Sequence, residues 1–398
     1  YYLLKDGWKV VVIDKGDLTE NCSQGNAGMI VPSHFIPMAA PGMVAKGIRW
    51  MFDSRSPFYV KPSLDFSLIS WGLKFMKSAT NEHVERSAPV LRDYHLLSKQ
   101  LYEEINKEEG FDFGLTEKGI LMLYKTDETG VEEIHVGKEA KRLGLDVTML
   151  SQEEVQALEP GLKLDVKGAV HYRCDAHLYP QAFIAQLVQA IQKMDGEIRR
   201  NEEVTGFNIH QGILKSVQTQ SGKIDSDLVI MTGGSWLPQL AKLAGLSIPI
   251  MPGKGYSFME NNAAFPIAHP ALLMEARVAV TPMNGQVRFG GTMELAALNN
   301  QINKRRVEGI VNAIPKYYPD QQIKMPKTER IWYGFRPCSP DGLPYLGYSK
   351  RIKNLIIAGG HGMMGVSLGP GTGKLVSQLA NNDTPFIDLK QYTPERYQ

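Results

Sequence analysis

The sequence is poor in cysteine. Only three occur in 398 residues, at Cys22, Cys174 and Cys338, and no two of them form a C-x-x-C pair. This wide spacing argues against a zinc ribbon and against a disulfide-bonded scaffold, because both need several cysteines at short, regular intervals. The low cysteine content instead favours a protein of the reducing cytoplasm.

The chain also lacks a strong charge of either sign and lacks long apolar runs. Its formal net charge is +2, and its 44 Lys and Arg residues form no long block, so nucleic acid is not expected as a partner. No apolar run reaches the length of a transmembrane helix, and no signal peptide is visible. With 398 residues, the chain has room for two domains or for one α/β domain with a large insertion.

The first strand of the chain ends in an acid but follows no phosphate-binding loop. The segment "WKVVVIDKGD" (8–17) is typical of a buried parallel strand that ends at Asp14. In dinucleotide-binding folds such an acid binds a ribose hydroxyl about 20 residues after a G-x-G-x-x-G loop. Leu3 and Leu4 fit the last turn of a helix, with Gly7 as its C-cap. Either the strand has no role in nucleotide binding, or a first strand and its loop precede the chain as given.

Hydrophobic periodicity predicts an α/β protein with two kinds of sheet. An amphipathic helix is expected over 179–196, bounded by a proline and a glycine. Alternating patterns over 246–294 indicate an antiparallel sheet, and 354–360 reads as a buried strand that leads through glycines into a helix. Between them, three strands separated by Gln-Gly and Ser-Gly turns are expected at 203–210, 213–220 and 223–232.

The segment between residues 42 and 78 is rich in Trp, Phe and basic residues. Within it, Leu64, Leu68, Trp71 and Phe75 share one face of a helix. Two interpretations remain open for this face. It packs against the core of its own domain, or it forms a surface that contacts a membrane or an electron-carrying partner.

Two motif matches near the C-terminus are rejected because of their context. "GVSLG" (365–369) has the G-x-S-x-G pattern of a hydrolase nucleophile, but Ser367 lies past the end of its strand and no histidine follows it. "GPGTGKL" (369–375) resembles a Walker A loop. However, Leu368 stands where the first glycine belongs, and Leu375 replaces the Ser or Thr. The sequence therefore predicts neither a serine hydrolase nor a P-loop nucleotidase.

Several segments together resemble the D-amino-acid oxidase-like flavoenzymes. At the C-terminus "YGFRPCSPDGLPYLG" (333–347) precedes "NLIIAGGHGMMGVSLGPGTGKLVSQL" (354–379), whose glycines let a ligand approach the backbone. "CSQGNAGMI" (22–30) and "VIMTGGSWLPQLAKLAGLSIPIMPGKGYSF" (229–258) agree with the same superfamily. It includes bacterial D-amino-acid dehydrogenases, glycine oxidase and sarcosine oxidases. The stretch over 42–76 is similar to the dehydrogenase branch.

The resemblance implies an α/β fold made of two domains. One is an FAD-binding Rossmann-like domain of the glutathione-reductase type, and the other is an α+β substrate domain built on an antiparallel sheet. The FAD-binding domain is expected to comprise residues 1–45, 165–245 and 328–398, without its first strand. The substrate domain is expected to comprise 46–164 and 246–327. The family pattern also places a strand and a G-x-G-x-x-G loop before the first helix of this chain.

Contacts with FAD follow from the resemblance, position by position. Asp14 is expected to bind the adenosine ribose with Lys15 beside it, and Val204 to contact the adenine side. Backbone contacts with the flavin and the rest of FAD are implied for Asn26, Ala27, Gly28, Gly233, Gly234, Gly362, Met363, Met364 and Gly365.

The resemblance also implies three residues at the reaction centre. Arg336 aligns with the arginine that holds the substrate carboxylate, and its planar fork matches that group in a way that lysine cannot. Tyr256 matches a pocket tyrosine that orients the substrate, and His361 lies beside the flavin ring. The cysteine that links the flavin covalently in sarcosine oxidases falls a few residues before Cys338, so noncovalent FAD is expected.

The implied reaction is FAD-dependent oxidative deamination of D-amino acids, in which hydride passes from Cα to flavin N5 and a 2-oxo acid forms. Alternatives of the same class are oxidation of glycine, sarcosine or a cyclic imino acid such as D-proline or D-hydroxyproline, with oxygen or a quinone as acceptor. A nucleotide-binding scaffold without catalysis is an alternative of another class. No metal site is expected. The predicted location is the cytoplasm or, peripherally, the inner face of the cell membrane.

Overall fold

The chain folds around a nine-stranded sheet flanked by smaller sheets and helices. The structure is a computed structural model that describes residues 1–19, 21–42, 66–261 and 264–397, and residues 58–60 by their backbone. The strands in these ranges are β1 (Val11–Ile13), β2 (Met29–Ile30), β3 (Phe58–Val60), β4 (Ile120–Tyr124), β5 (Val147–Ser151), β6 (Gly168–Tyr172), β7 (Ala176–His177), β8 (Glu197–Arg199), β9 (Val204–His210), β10 (Ile213–Thr219), β11 (Gly222–Asp225), β12 (Val229–Met231), β13 (Met251–Asn261), β14 (Ala271–Leu273), β15 (Val278–Met283), β16 (Gln286–Leu295), β17 (Trp332–Cys338), β18 (Tyr345–Tyr348) and β19 (Leu355–Gly359). The α-helices are α1 (Tyr2–Lys5), α2 (Phe66–Ser78), α3 (Asn81–Ile105), α4 (Asp127–Arg142), α5 (Gln152–Leu158), α6 (Pro180–Lys193), α7 (Leu237–Leu243), α8 (Lys304–Tyr317) and α9 (Gly369–Ala380).

Short parallel pairs form the part of the fold that the sequence assigns to nucleotide binding. β1 pairs with β8, and β12 pairs with β19, both in parallel. The residues of β19 are all buried, as expected for a Val- and Ile-rich strand covered on both faces. The helix predicted after its glycine-rich turn is α9, and the helix predicted over 179–196 is α6. The predicted α/β arrangement is therefore present.

A three-stranded antiparallel sheet of β9, β10 and β11 is attached to this part. Gln211 and Gly212 have φ angles of 50° and 72°, which suit a two-residue hairpin turn between β9 and β10. The single strand predicted over 223–232 is wrong. β11 pairs with β10, whereas β12 pairs with β19, because the chain leaves the small sheet between them to join the parallel one.

The nine-stranded sheet has the order β17-β13-β16-β15-β14-β4-β6-β5, with β3 beside β16. Its pairs are antiparallel except β14 with β4 and β16 with β3. The antiparallel sheet predicted over 246–294 is therefore confirmed. One face of this sheet buries Phe258 and Phe289 against Val307 and Ile310 of α8.

Strand pairing differs from the predicted domain boundaries in two places. β6 and β17 form hydrogen bonds within the nine-stranded sheet. The predicted boundaries at 165 and 328 had placed both strands in the FAD-binding domain. The reason for the difference is that a short apolar run carries no mark of the sheet it joins. Elsewhere the division of the chain stays a prediction.

Helix α2 has apolar residues on two faces. Trp71 is buried, stacks on Phe75 at 5.2 Å between ring centres and donates a hydrogen bond from Nε1 to the carbonyl oxygen of Cys338 at 2.9 Å. Packing of this face on the protein's own core is thereby confirmed for the described residues, while Leu64 lies outside them. The opposite face exposes Phe66 (86%), Ile69 (47%), Leu73 (58%) and Met76 (48%). Across the described ranges, no helix is long and apolar enough to cross a bilayer.

The C-terminal segment is fastened to the loop that follows β17. Arg396 forms a two-pronged ion pair with Asp341, at 2.6 Å from Nε and 2.8 Å from Nη2. Its guanidinium also lies 3.9 Å from the ring centre of Tyr345 and donates to the carbonyl oxygens of Leu343 and Pro344. Both partners are largely buried, so this contact ties the end of the chain to the strands behind the candidate site.

Candidate active site

A cavity of about 1250 Å³ runs between the small parallel sheets and the strands β13, β16 and β17. Asp14 lies at one end of it, and Arg336 lies on the wall formed by the large sheet. Every residue that the sequence assigned to the site lines this cavity except Gly28. The structure therefore brings together segments that are more than 300 residues apart in the chain.

The end of the cavity near β1 carries the predicted nucleotide residues. Asp14 follows the last residue of β1, and its Oδ1 accepts a hydrogen bond from the N–H of Gly16 at 2.7 Å. Lys15 is exposed, and its Nζ lies 4.8 Å from the ring centre of Trp236. Val204, at the start of β9, also lines this end. An acid at the end of a strand suits the ribose of a nucleotide.

Two glycines leave open space along the cavity wall. Gly234 and Gly362 have φ angles of 54° and 57°, and no atom lies within 4 Å of where a Cβ would be. Gly233 precedes the first of them, and Met363, Met364 and Gly365 follow the second. Any other residue at either position would have to adopt an unfavourable backbone φ, and its side chain would extend into the cavity.

The loop after the first strand is held by a buried arginine that the sequence analysis did not identify. Arg288 donates from Nη1 to the carbonyl oxygens of Asn26 at 2.5 Å and Gln24 at 3.1 Å. Asn26 and Ala27 line the cavity. Gly28 instead packs on the chain itself, since a Cβ there would lie 2.2 Å from the carbonyl oxygen of Leu178. Position 28 therefore requires a glycine because the backbone passes so close to Leu178. This role differs from the predicted contact of Gly28 with the flavin.

Arg336 lies in β17 and lines the cavity. Its Nη1 donates to the carbonyl oxygen of Thr292 at 2.9 Å, and within the described ranges it forms no ion pair. Burial lowers the pKa of Arg336 from its ordinary value, yet an arginine side chain remains charged in proteins. A half-buried cation that lines the cavity and pairs only with a carbonyl dipole in the described ranges is suited to receive an anion from the cavity.

A β-bulge and a missing side chain make room for that guanidinium. Thr292 and Met293 of β16 lie opposite the single residue Gly255 of β13, and Thr292 has a φ of 60°, which is rare for a β-branched residue. A Cβ on Gly255 would lie only 1.9 Å from Nη1 of Arg336. The sequence analysis missed both residues, although the glycine pair before Thr292 is a known signal of a bulge in a strand.

The two other predicted reaction-centre residues already have partners in the protein. Tyr256 is 2% exposed, and its hydroxyl accepts a hydrogen bond from the N–H of Asn303 at 3.2 Å. Nε2 of His361 lies 2.9 Å from Oγ1 of Thr372, and burial lowers the pKa of His361 to about 4. Both line the cavity, but the structure gives His361 a neutral ring and places the ring of Tyr256 in the core.

Ser367, the residue of the rejected hydrolase motif, is almost completely buried. Its Oγ accepts a hydrogen bond from the N–H of Val31 at 2.9 Å and lies 2.9 Å from Nδ1 of His95. The serine is absent from the cavity wall. Its partner His95 precedes it in the chain and is also inaccessible, so the pair cannot act on a substrate.

The residues of the cavity fit FAD. An elongated dinucleotide needs a ribose-binding acid at one end and a backbone that it can approach closely along its length. Asp14 supplies the first, and the open positions at Gly234 and Gly362 supply the second. Within the described ranges, no cluster of His, Cys, Asp and Glu could hold a metal ion.

Comparison with known proteins agrees with this geometry. Residues 1–379 match the family model described as FAD dependent oxidoreductase (DAO). The chain is 31% identical over 383 residues to a D-amino acid dehydrogenase of Helicobacter pylori, covering 96% of this chain and 91% of the relative. It is 28% identical to a D-amino acid dehydrogenase of Granulibacter bethesdensis, covering 100% of this chain and 96% of the relative.

Solved structures show the same fold. Glycine oxidase from Geobacillus kaustophilus superposes with a TM-score of 0.77 at 22% identity, over 99% of this chain and 94% of that one. L-α-glycerophosphate oxidase from Mycoplasma pneumoniae with FAD bound superposes with a TM-score of 0.69 at 18% identity, over 96% and 91%. Together with the family match, these findings show that the chain belongs to the DAO family of FAD-dependent oxidoreductases.

Proposed function

We propose that the protein catalyses the FAD-dependent oxidative deamination of D-amino acids. The observation that carries the proposal is Arg336, a half-buried cation on the cavity wall whose guanidinium has only a carbonyl partner in the described ranges. Its planar fork fits a carboxylate. The D configuration and the oxidation of an amino acid are supported by the similarity to the D-amino acid dehydrogenases of Helicobacter pylori and Granulibacter bethesdensis.

In this proposal the protein contributes mainly binding and orientation. Arg336 binds the substrate carboxylate and thereby fixes the direction of the Cα–H bond. Asp14 binds the ribose, while Gly234, Gly362 and the loop at Asn26 admit the cofactor close to the backbone. Bound FAD supplies the acceptor for the hydride that leaves Cα. The resulting imino acid hydrolyses to a 2-oxo acid and ammonia, or stays cyclic when the substrate is a ring.

The proposal is tested by reducing the flavin with substrate under anaerobic conditions. D-Alanine and other D-amino acids are expected to bleach the yellow protein, because substrate oxidation leaves the flavin reduced when no acceptor is present. Glycine, sarcosine and D-proline serve as comparison substrates, and L-alanine is the control for configuration. Faster bleaching by glycine or sarcosine than by every D-amino acid would contradict the proposed substrate class.

We also propose that FAD is held without a covalent bond. The thiol of Cys22 lines the cavity, but burial raises its pKa, and it accepts a hydrogen bond from the N–H of Phe335 at 3.3 Å. Cys338 is buried, and burial raises its pKa to about 12. Neither thiol is therefore prepared as a nucleophile. Acid precipitation is expected to release all the yellow colour into the supernatant, and colour in the washed pellet would show a covalent link.

The outer face of α2 supports a further part of the proposal, namely that a membrane quinone accepts the electrons. The apolar residues of this face are exposed, and Lys74 and Lys77 lie on the same helix. An apolar stripe with nearby lysines suits the surface of a membrane that contains anionic lipids. On this view the protein docks peripherally on the inner face of the cell membrane.

Serine substitutions on this face test the docking. Phe66→Ser combined with Leu73→Ser should weaken binding to anionic vesicles by roughly tenfold or more, since a fully buried side chain of this kind contributes about 1.5–3 kcal/mol. Val131→Ser is the matched control, because Val131 is 71% exposed on α4, a different helix. Vesicle co-sedimentation measures the effect.

The acceptor itself is tested by comparing turnover with a quinone and with oxygen. We expect the quinone to be reduced faster than oxygen. Hydrogen peroxide formed in air at the same rate as substrate is consumed would contradict a quinone acceptor. Equal vesicle binding by the α2 variant and the Val131 control would contradict the docking surface.

A further inference from the structure

A buried carboxylate outside the proposed FAD and substrate contacts lies close to the cavity. Asp175 has no exposed surface, and its hydrogen-bond partners within the described ranges are Ser33 and Cys174. Its Oδ1 accepts a hydrogen bond from the N–H of Ser33 at 2.9 Å, and its Oδ2 accepts one from Oγ of Ser33 at 2.5 Å. The thiol of Cys174 lies 3.7 Å from Oδ1. A buried acid with only neutral donors around it needs an explanation.

The same serine connects this acid to the cavity. Oγ of Ser33 lies 3.1 Å from Nδ1 of His34, and His34 lines the cavity. The pairing of β2 with β7 brings the two segments together, because Ile30 lies opposite Ala176 in that short ladder. Asp175 is thus two hydrogen bonds away from the cavity.

The hydroxyl proton gives this chain of hydrogen bonds a direction. A hydroxyl has one proton to donate, so Ser33 donates to an ionised Asp175 and must then accept from N–H at Nδ1 of His34. A neutral imidazole carries one proton, so Nε2 is left as an acceptor. If Asp175 is protonated, it donates to Ser33, Ser33 donates to Nδ1, and Nε2 becomes a donor.

We infer that Asp175, Ser33 and His34 form a relay that presents Nε2 of His34 as a hydrogen-bond acceptor for the amino group of the substrate. This inference rests on the proposed function, since it assigns the amine of the same substrate whose carboxylate binds Arg336. The loop that carries His34 continues to Met38, which packs against the hydrophobic cluster that contains Met293 and Cys338. His34 and Arg336 both line the same cavity.

The surroundings of the relay shift the pKa values of its two ends, His34 and Asp175, in opposite directions. Burial, together with the smaller effect of the charge of Arg277, lowers the pKa of His34 to about 4, so the ring is neutral at ordinary pH. His95, which also faces His34, is neutral for the same reason, because burial lowers its pKa to about 3. Burial raises the pKa of Asp175 to about 7, although the hydrogen bonds from Ser33 act in the opposite direction.

Other groups that face Asp175 do not remove its sensitivity to pH. The charge of Lys99 lowers the pKa of Asp175 slightly, and the pKa values of Cys174 and Tyr172 are raised by burial, so both stay protonated. Asp175 is therefore the group of the relay that titrates near neutral pH. Ionised Asp175 gives the acceptor form of His34, so kcat/KM should rise as the pH increases through about 7.

Two variants separate the relay from a structural role. Asp175→Asn keeps an oxygen for the N–H of Ser33 but donates from its amide to Oγ, which fixes Nε2 of His34 as a donor. We expect kcat/KM to be about ten- to a hundredfold lower than wild type above neutral pH, without a rise near pH 7. Ser33→Ala cuts the link and should also remove the rise near neutral pH, with an intermediate rate. Ser367→Ala is the matched control, since that buried serine contacts a histidine but not Asp175.

A second measurement is independent of turnover. Nitrogen-15 spectra of the holoenzyme labelled at histidine should show His34 changing from the Nε2–H to the Nδ1–H tautomer as the pH rises through the pKa of Asp175. The change should be absent in Ser33→Ala and present in Ser367→Ala. An unchanged tautomer in the wild type would overturn the relay.

The outcomes also distinguish the relay from the proposed function. A tautomer change without any pH effect on kcat/KM would overturn the contact between His34 and the substrate amine. Failure of every amino acid to bleach the flavin would overturn the proposed function and that contact together, while the tautomer experiment would still decide whether the relay exists.

Discussion

Replacing Arg336 by alanine is expected to lower kcat/KM for D-amino acids by about 30-fold to several thousand-fold. The substitution removes a charge-assisted contact in a partly desolvated pocket, which contributes roughly 2–5 kcal/mol. These energies convert directly into the expected range of rate loss. Steady-state kinetics, normalised to the amount of bound flavin, measure the effect.

The conservative variant and a changed substrate sharpen this test. Arg336→Lys keeps the charge but loses the planar fork, so KM should rise strongly while FAD stays bound. An amine without a carboxylate should be oxidised equally well by wild type and both variants. If the alanine variant oxidised a D-amino acid within about threefold of wild type, Arg336 would have no role in carboxylate binding. Lower thermal stability with unchanged turnover per flavin would indicate a structural role instead.

Gly255→Ala offers a second way to disturb the same contact without removing the charge. The new Cβ would overlap Nη1 of Arg336, so the guanidinium has to move. KM for D-amino acids should therefore rise, as in the lysine variant. Gly206→Ala is the control, because the nearest atom to a Cβ there lies at 3.5 Å.

Loss of Arg396 should have the largest effect on stability. Arg396→Ala leaves the carboxylate of Asp341 buried without its partner, which typically costs about 3–5 kcal/mol. For a chain of 398 residues this corresponds to a Tm lower by roughly 4–6 °C if unfolding is two-state. Arg142→Ala removes an exposed ion pair with Glu139 and should change Tm by less than about 1 °C.

The effect of Arg396 should also depend on pH. Burial by itself raises the pKa of Asp341, but the charge and hydrogen bonds of Arg396 outweigh it, and the net pKa is lowered. A lowered pKa in the folded state gives stability that is complete above the ordinary value of about 3.9 and is lost as the pH falls through the folded value. The difference in Tm between wild type and Arg396→Ala should therefore shrink in acid. A difference that stays constant would contradict the ion pair as its source.

The sequence predicts those parts of the site that lie in continuous segments. The turn after β19 and the arginine in β17 belong to a stretch of fewer than fifty residues with a recognisable pattern, and both line the cavity. Asp14 is similarly marked by its position at the end of an apolar strand. In each case the local backbone determines where the residue points, so the sequence of the segment is enough to predict that the residue belongs to the site.

Residues that depend on contacts between distant segments were not predicted. Asp175 and Ser33 are 142 residues apart, and they meet through a ladder of two residue pairs that leaves no periodic signal. The role of Gly255 follows from the path of the Arg336 side chain across the neighbouring strand. Tyr256 was placed correctly in the sheet, but the hydrogen bond to its hydroxyl comes from Asn303, which lies in a loop beyond the next three strands of the chain.

The close approach of Arg336 to Gly255 restricts the order in which mutations can accumulate. A side chain at position 255 is incompatible with the present position of the guanidinium. A lineage could therefore lose the arginine first and then gain a larger residue at 255, but the reverse order would pass through a crowded intermediate. Once position 255 has been filled, restoring the arginine alone would not restore carboxylate binding. The two positions are expected to change together among descendants that adopt substrates without a carboxylate.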